Sequence, residues 1–211
     1  MSLGVLGTMP EASRASASGP GASYRIREAV PTDAPRLAEV HVRSWQAAYR
    51  GIVPQAYLDG LPSEIPAREA RWREMFDRLP RDVALVGEVP EDGIVGFCRV
   101  GAARPPHFGM TGEVGAIYLL PEHWGRGLGR RLMGSGADAL ERLGFGSAVV
   151  WVLTENPARG FYERLGGLRR GTTVHRMAGV EFGVTAYIWP RVRRLSERCA
   201  ASGSDAGGPP E

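Results

Sequence analysis

Residues Gly112–Arg131 read GEVGAIYLLPEHWGRGLGRR, and the rest of the chain is interpreted outward from them. Glu113 to Leu120 is an apolar run with β-branched and aromatic members and an acid at its start, the pattern of a buried strand. Pro121 ends that strand. A glycine-rich loop, Trp124-Gly125-Arg126-Gly127-Leu128-Gly129, then passes directly into a helical pattern with Leu128, Leu132, Ala139, Leu140 and Leu143 on one face. A helix start leaves about four backbone N–H groups without partners and carries roughly half a positive charge, so phosphates bind there well. Gly125, Gly127 and Gly129 remove the Cβ atoms that would keep an anion off the amides, while Arg126, Arg130 and Arg131 add positive charge on neighbouring turns. The loop suits a pyrophosphate. The same glycines would also let a helix pack closely on a sheet, and the surrounding pattern has to decide between the two.

Before this stretch, Tyr24 to Ala29 alternates as a short strand. Thr32 or Asp33 then caps a helix with Leu37, Val40, His41, Ser44, Trp45, Ala48 and Tyr49 at helical spacing. Two further helical pieces span 54–60 and 63–79. Asp82 to Val89 and Ile94 to Gly101 form a hairpin around Glu91-Asp92-Gly93. After the central helix, Ser147 to Thr154 is another buried strand, followed by a short helix with Phe161, Tyr162 and Leu165, and a last hairpin of Leu168 to His175 and Val180 to Trp189. The order is strand, helices, three strands, helix, strand, helix, two strands.

At 211 residues the chain fits one domain with tails. A net charge of +3, with scattered arginines, does not argue for nucleic acid, and no apolar run reaches the roughly 20 residues of a membrane span. No secretory leader is legible, and Cys98 and Cys199 read as free thiols of a reducing cytoplasm, so a cytoplasmic location is expected. His41, His107, His123 and His175 show no metal-ligand spacing, and no metal is expected. Residues 1–22 read as a disordered extension, 23–190 as the domain, and 191–211 as a basic and then polar tail.

The phosphate ligand can be narrowed by spacing. A dinucleotide fingerprint would need a third glycine where Arg130 stands, and a Walker loop needs a lysine, whereas all 26 basic residues here are arginines. The loop resembles the pyrophosphate-binding signature of the Gcn5-related N-acetyltransferases, the GNAT superfamily, written Gln/Arg-x-x-Gly-x-Gly/Ala. The matching positions are Trp124, Gly127 and Gly129, with Trp124 where Gln or Arg is usual. WVLTENPARGFYERLGG resembles the family's second cofactor motif through Asn156, Phe161, Tyr162, Glu163 and Gly166. It has one residue fewer between Asn156 and Tyr162 than usual, and Gly167 in place of Phe. The element order is similar to the family's as well.

The resemblance implies an α/β (α+β) GNAT fold, with a splayed mixed sheet of about six to seven strands flanked by helices. It also implies acetyl-CoA as donor and direct acetyl transfer from the thioester to a primary amine. Glu113, at the start of the central strand, is the expected general base, and Tyr162 the general acid. A phenol with pKa about 10 stays protonated at neutral pH and can donate to a departing thiolate. The resemblance further assigns the cofactor to the backbone of Ile117, Tyr118 and Leu119, the loop Trp124, Gly125, Arg126, Gly127, Leu128, Gly129 and Arg130, and the side chains of Asn156 and Arg159. Trp45, Tyr49 and Tyr57 would line the acceptor pocket. A small amine, an amino sugar and a protein N-terminus are all compatible acceptors, and a homodimer is left open. An acyl-CoA-binding sensor without turnover is the alternative on the same fold. A nucleic-acid module built on Arg191 to Arg198 lacks the interleaved aromatic residues it would need.

Overall fold

The computed structural model describes residues 23–78, 81–103 and 108–201. The extensions expected at residues 1–22 and beyond 201, and His107, lie outside them. The elements are β1 (Arg25–Glu28), α1 (Ala34–Ala48), α2 (Gln55–Gly60), α3 (Ile65–Arg78), β2 (Val83–Val89), β3 (Gly93–Ala102), β4 (Gly112–Leu119), α4 (Leu128–Arg142), β5 (Ala148–Leu153), α5 (Arg159–Arg164), β6 (Leu168–Met177), β7 (Val180–Trp189) and α6 (Val192–Ala201). One seven-stranded sheet has the order β1-β2-β3-β4-β5-β7-β6. It is antiparallel except where β4 meets β5, because the α4 crossover returns the chain in the same direction.

That parallel junction is short. Gly112 pairs with Ala148 and Glu113 with Val149, and no further pairs form although both strands continue. The cause lies in β4. Arg99 pairs with Ala116 and Val100 with Val114, so Gly115 is an extra residue on β4. Such a bulge bends the strand and increases its twist, which carries residues 114–119 away from β5. β5 stays fully paired to β7 on its other side, so the sheet opens between β4 and β5 alone.

The apolar periodicity of the helices decides which face each one covers. α1 and α3 pack on one face, where Phe97 of β3 meets Trp72 of α3 edge-on, with ring centroids 5.1 Å apart. α4 packs on the other face, over β2, β3 and β4. Two glycines set how closely α4 can sit. A Cβ at Gly136 would lie 3.1 Å from Val100 and 3.2 Å from Cys98, and one at Gly134 would lie 2.9 Å from Cys199 of α6. Two residues along a helix turn about 200°, so these glycines open opposite sides of α4, one to the sheet and one to α6. Each costs about 1 kcal/mol of helix propensity, offset by the close packing it allows.

α6 departs from the sequence reading, which ended the domain at 190. Val192 and Leu195 are buried against α4, and the arginines between them face outward. In the sequence, a single turn of apolar spacing among so many arginines reads as a basic segment rather than as an amphipathic helix. Among the described residues no helix is long and apolar enough to cross a membrane, and no group of three or more His, Cys, Asp or Glu is placed to hold a metal ion.

Candidate active site

The glycine loop enters α4 in the geometry an anion requires. Gly125 and Gly127 have φ of 71° and 81°, in the left-handed region that side chains disfavour. Gly127 occupies the cap position and no side chain caps the helix. The Arg131 N–H bonds back to the Gly127 carbonyl at 3.2 Å, while the N–H groups ahead of it have no acceptor within the helix. A Cβ at Gly127 would meet nothing within 4 Å, so the approach is open.

The side chains around this loop are tied down more than the sequence suggested. Arg131 donates to the Tyr24 carbonyl at 2.9 Å, Arg126 lies beside the Tyr24 hydroxyl, and Arg130 lies toward the Cys199 thiol. None of these contacts is with a carboxylate, so positive charge stays beside the backbone N–H groups of the loop. The Trp124 indole N–H donates to the Leu119 carbonyl at 3.0 Å, and Ser44 Oγ donates to the same oxygen at 2.9 Å. Trp124 anchors the loop to the end of β4. The Leu119 carbonyl is thereby occupied within the protein.

Beyond the split, Asn156 is completely buried. Its Oδ1 accepts the Ala158 N–H at 2.9 Å and its Nδ2 has no partner. A buried amide donor left unpaired costs about 1–3 kcal/mol, so it points to a ligand acceptor. Arg159 Nε is likewise buried and unpartnered. Three buried tyrosines come from three elements here: Tyr49 just after α1, Tyr118 on β4 and Tyr162 on α5. Burial, then the neighbouring Tyr118 and Tyr162, push the Tyr49 phenol well above its ordinary pKa, and Tyr118 hydrogen-bonds to it. Tyr162 stacks on Tyr187 at 5.9 Å and meets Trp189 edge-on at 6.4 Å, which fixes its ring. Tyr187 donates to Glu163 at 2.8 Å, and burial and that bond push its own pKa up to about 12.

A cavity of about 480 Å³ lies between the N-terminal helices, β4 and the β6–β7 hairpin. Trp45 and Tyr57 line it, whereas Tyr49 belongs to the tyrosine group. Gly115 and Ala116 form part of its wall, so it opens on the edge of β4 that has left β5. Glu113 does not line it. It sits at the last paired position of the β4–β5 junction, although it shares the cavity face of β4 with Ala116 and Tyr118. Sequence reasoning missed His41 and the arginines at 68, 71, 99 and 176, all of which line the cavity.

His41 stacks on Tyr118 with centroids 4.7 Å apart. Arg68 Nη1 lies 3.3 Å from its Nε2. A guanidinium cannot accept a hydrogen bond, so Nε2 is the acceptor and the proton sits on Nδ1. Burial, reinforced by Arg68 and Arg71, holds the pKa of this imidazole well below its ordinary value.

A sheet split between two parallel strands, with an uncapped glycine-led helix following the first of them and a cavity beside the split, suits a protein that binds a phosphate-bearing ligand. The model of the acetyltransferase (GNAT) family matches residues 42–167, and the chain belongs to that family. It is 34% identical over 170 residues to the uncharacterized N-acetyltransferase YuaI of Bacillus subtilis (strain 168), covering 81% of this chain and 95% of that protein. Among solved structures it resembles the PaiA N-acetyltransferase of Thermoplasma acidophilum in complex with coenzyme A. The TM-score is 0.58 at 18% identity, over 77% of this chain and 98% of the other. It also resembles YncA of Salmonella typhimurium with its cofactor acetyl-CoA. Here the TM-score is 0.57 at 22% identity, over 81% and 94% of the two chains. These two likenesses show the fold, a splayed seven-stranded mixed sheet flanked by helices.

Proposed function

We propose that the protein transfers the acetyl group of acetyl-CoA directly to a primary amine of a small molecule. One observation carries this reading. The open, uncapped N-terminus of α4 and the unpartnered Asn156 amide flank the same split in the sheet, and the cavity opens onto that split. The α4 amides would hold the pyrophosphate, and Asn156, with Arg159, an amide or phosphate further along the cofactor. Acetyl-CoA supplies the activated thioester, whose carbonyl is the electrophile.

The residues of the chain supply the rest. Backbone N–H groups on the freed edge of β4, near Leu119, stabilise the negative charge that develops on the carbonyl oxygen; preorganised dipoles of this kind often give the largest single term. Tyr162, protonated and fixed by Tyr187 and Trp189, donates its proton to the sulfur as the C–S bond breaks. An alkylamine with pKa about 10 arrives protonated at neutral pH and must lose a proton before its lone pair attacks. Glu113, on the cavity face of β4 but outside the cavity wall, takes that proton through water. No metal is needed for this chemistry. A cavity of about 480 Å³ suits a small acceptor, which supports a small amine over a protein N-terminus.

Calorimetric titration with acetyl-CoA, followed by thiol release over a panel of amines, tests the reading. Tyr162→Phe is expected to lower kcat by about 100-fold, within the range for loss of a general acid, while acetyl-CoA affinity changes less than about threefold. Unchanged kcat would remove the general-acid role of Tyr162, and absence of acetyl-CoA binding would overturn the proposal.

A further inference from the structure

We infer that the acceptor is an amine that also carries an anionic group, a carboxylate or a phosphonate, bound by the arginines on α3. This rests on the acetyltransferase reading above and names its substrate class. Four guanidinium groups line the cavity, Arg68, Arg71, Arg99 and Arg176, against a single carboxylate, Glu64. Three of the four are matched. Arg68 pairs with Glu64 at 3.1 Å, Arg99 with Asp82 at 2.5 Å and Arg176 with Glu181 at 2.6 Å. Arg71 makes no ion pair among the described residues, so the wall keeps one uncompensated positive charge.

The buried polar atoms of the wall that lack a partner are donors as well. Arg68 is only 8% exposed and uses its Nη atoms on Glu64 and His41, while its Nε has no partner. The indole N–H of Trp45, 6% exposed, has none either. Both are donors, and the one carboxylate in the wall is already taken by Arg68. A wall with one unpaired cation and two buried, unpartnered donors is complementary to a ligand that brings acceptors and negative charge. Arg68 and Arg71 stand three residues apart on α3 and therefore share a face, which places the anion subsite on the helix side. Gly115 and Ala116 form the opposite wall at the split, where the amine must arrive. The acceptor thus spans the cavity with its anion on α3 and its nitrogen at β4. There the nitrogen, made neutral by giving one proton to Glu113 through water, attacks the thioester carbonyl; the C–N bond forms and the C–S bond breaks, the sulfur takes a proton from Tyr162, and the second proton of the nitrogen restores Tyr162. A polyamine or aminoglycoside would meet the opposite of what it needs, because every carboxylate it could use is already paired.

The test uses the full chain with acetyl-CoA. Affinity for acetyl-CoA is measured first by calorimetry, and kcat/KM by thiol release is then compared within matched sets. L-phenylalanine is set against L-phenylalaninamide, 2-aminoethylphosphonate against ethanolamine, and spermidine serves as the polycation. At least one anionic amine is expected to exceed its neutral counterpart by tenfold or more, and the set in which it does so identifies the carboxylate or the phosphonate as the preferred anion. Arg71→Glu is expected to abolish that preference by raising KM tenfold or more, with acetyl-CoA affinity and thermal midpoint unchanged because Arg71 is exposed and unpaired. Acetyl-CoA binding together with a preference for neutral or polycationic amines, or with no turnover of any anionic amine, would overturn this inference alone. Failure to bind acetyl-CoA would overturn the acetyltransferase reading and this inference with it.

Discussion

Replacing Gly127 by aspartate and, separately, by asparagine isolates the charge at the mouth of α4 from every other consequence of a side chain there. Gly127 has φ of 81° and caps the helix, and a Cβ built on it meets nothing within 4 Å. Neither replacement therefore collides with the fold. Both carry the same left-handed backbone cost, about 1 kcal/mol, because Asn and Asp are the side chains that tolerate this region best. They differ by one negative charge. In the free protein that charge faces an uncapped helix N-terminus and is worth about 0.3–1 kcal/mol of stability. With a pyrophosphate on the same amides, two phosphate charges about 7 Å away at an effective dielectric near 40 repel it by about 1 kcal/mol each. The sum, about 2 kcal/mol, weakens coenzyme A binding about 30-fold. Gly127→Asp is thus expected to melt no lower than Gly127→Asn while binding coenzyme A about 30-fold less tightly, measured by thermal denaturation and calorimetry at low salt. Equal affinity of the two variants would refute the assignment of the pyrophosphate to this helix end. A lower melting point for the aspartate would refute the claim that no side chain caps this helix end.

Two further outcomes concern the scaffold. Gly136→Val adds a branched side chain where even a Cβ lies 3.1 Å from Val100, so unfolding by urea is expected to show a loss of about 1–3 kcal/mol from overpacking. His41 gives a pH dependence of definite sign. Its folded pKa is held well below the ordinary value of about 6.5, so under mildly acidic conditions the unfolded chain binds the extra proton and stability falls as pH drops below about 6.5. His123 and His175, also lowered by burial, add in the same direction. The thermal midpoint of the wild type is expected to fall more steeply than that of His41→Asn between pH 7.5 and 5.5, and parallel slopes would contradict the burial assigned to that ring.

The parts of the fold written in the sequence are those fixed by local pattern. The strand ending at Pro121, the glycine entry to α4, the Asp92-Gly93 hairpin and the Phe161-Tyr162 helix each follow from residues within one or two turns of each other. The cavity could not be read in the same way. Arg68 and Arg71 lie on α3, Arg99 on β3 and Arg176 on β6, and only the placement of α3 over β3 and of β6 at the same cavity brings them to one wall. In sequence they are four arginines among 26. α6 was hidden for a related reason. Its apolar face is two buried residues wide and becomes meaningful only beside Gly134, whose missing Cβ lets Cys199 approach. Trp124 shows the converse case. Its departure from the family signature is visible in the sequence, and its cause, the bond from the indole to the Leu119 carbonyl, is visible only in three dimensions.

One inserted residue sets both where the sheet opens and which way Glu113 faces. Residues directly opposite on antiparallel strands share a face. Cys98 and Val100 of β3 face α4 through Gly136, so Ile117 and Val114, their partners on β4, face α4 too. Phe97 and Arg99 face α1, α3 and the cavity, as do their partners Tyr118 and Ala116, and Glu113 follows because it pairs with Gly101. Simple alternation down β4 from Tyr118 and Ala116 would have put Val114 toward the cavity and the Glu113 carboxylate under α4, among Leu132, Met133 and Leu140. The extra residue at Gly115 reverses the phase, and a carboxylate that would have been carried under α4 is delivered instead to the cavity side, where the proposed mechanism has the amine lose its proton. The same bulge turns β4 away from β5 and frees the edge proposed to receive the thioester. Opening the sheet and aiming the carboxylate are thus two consequences of a single backbone irregularity, which is why neither feature survives in a β4 drawn as a regular strand.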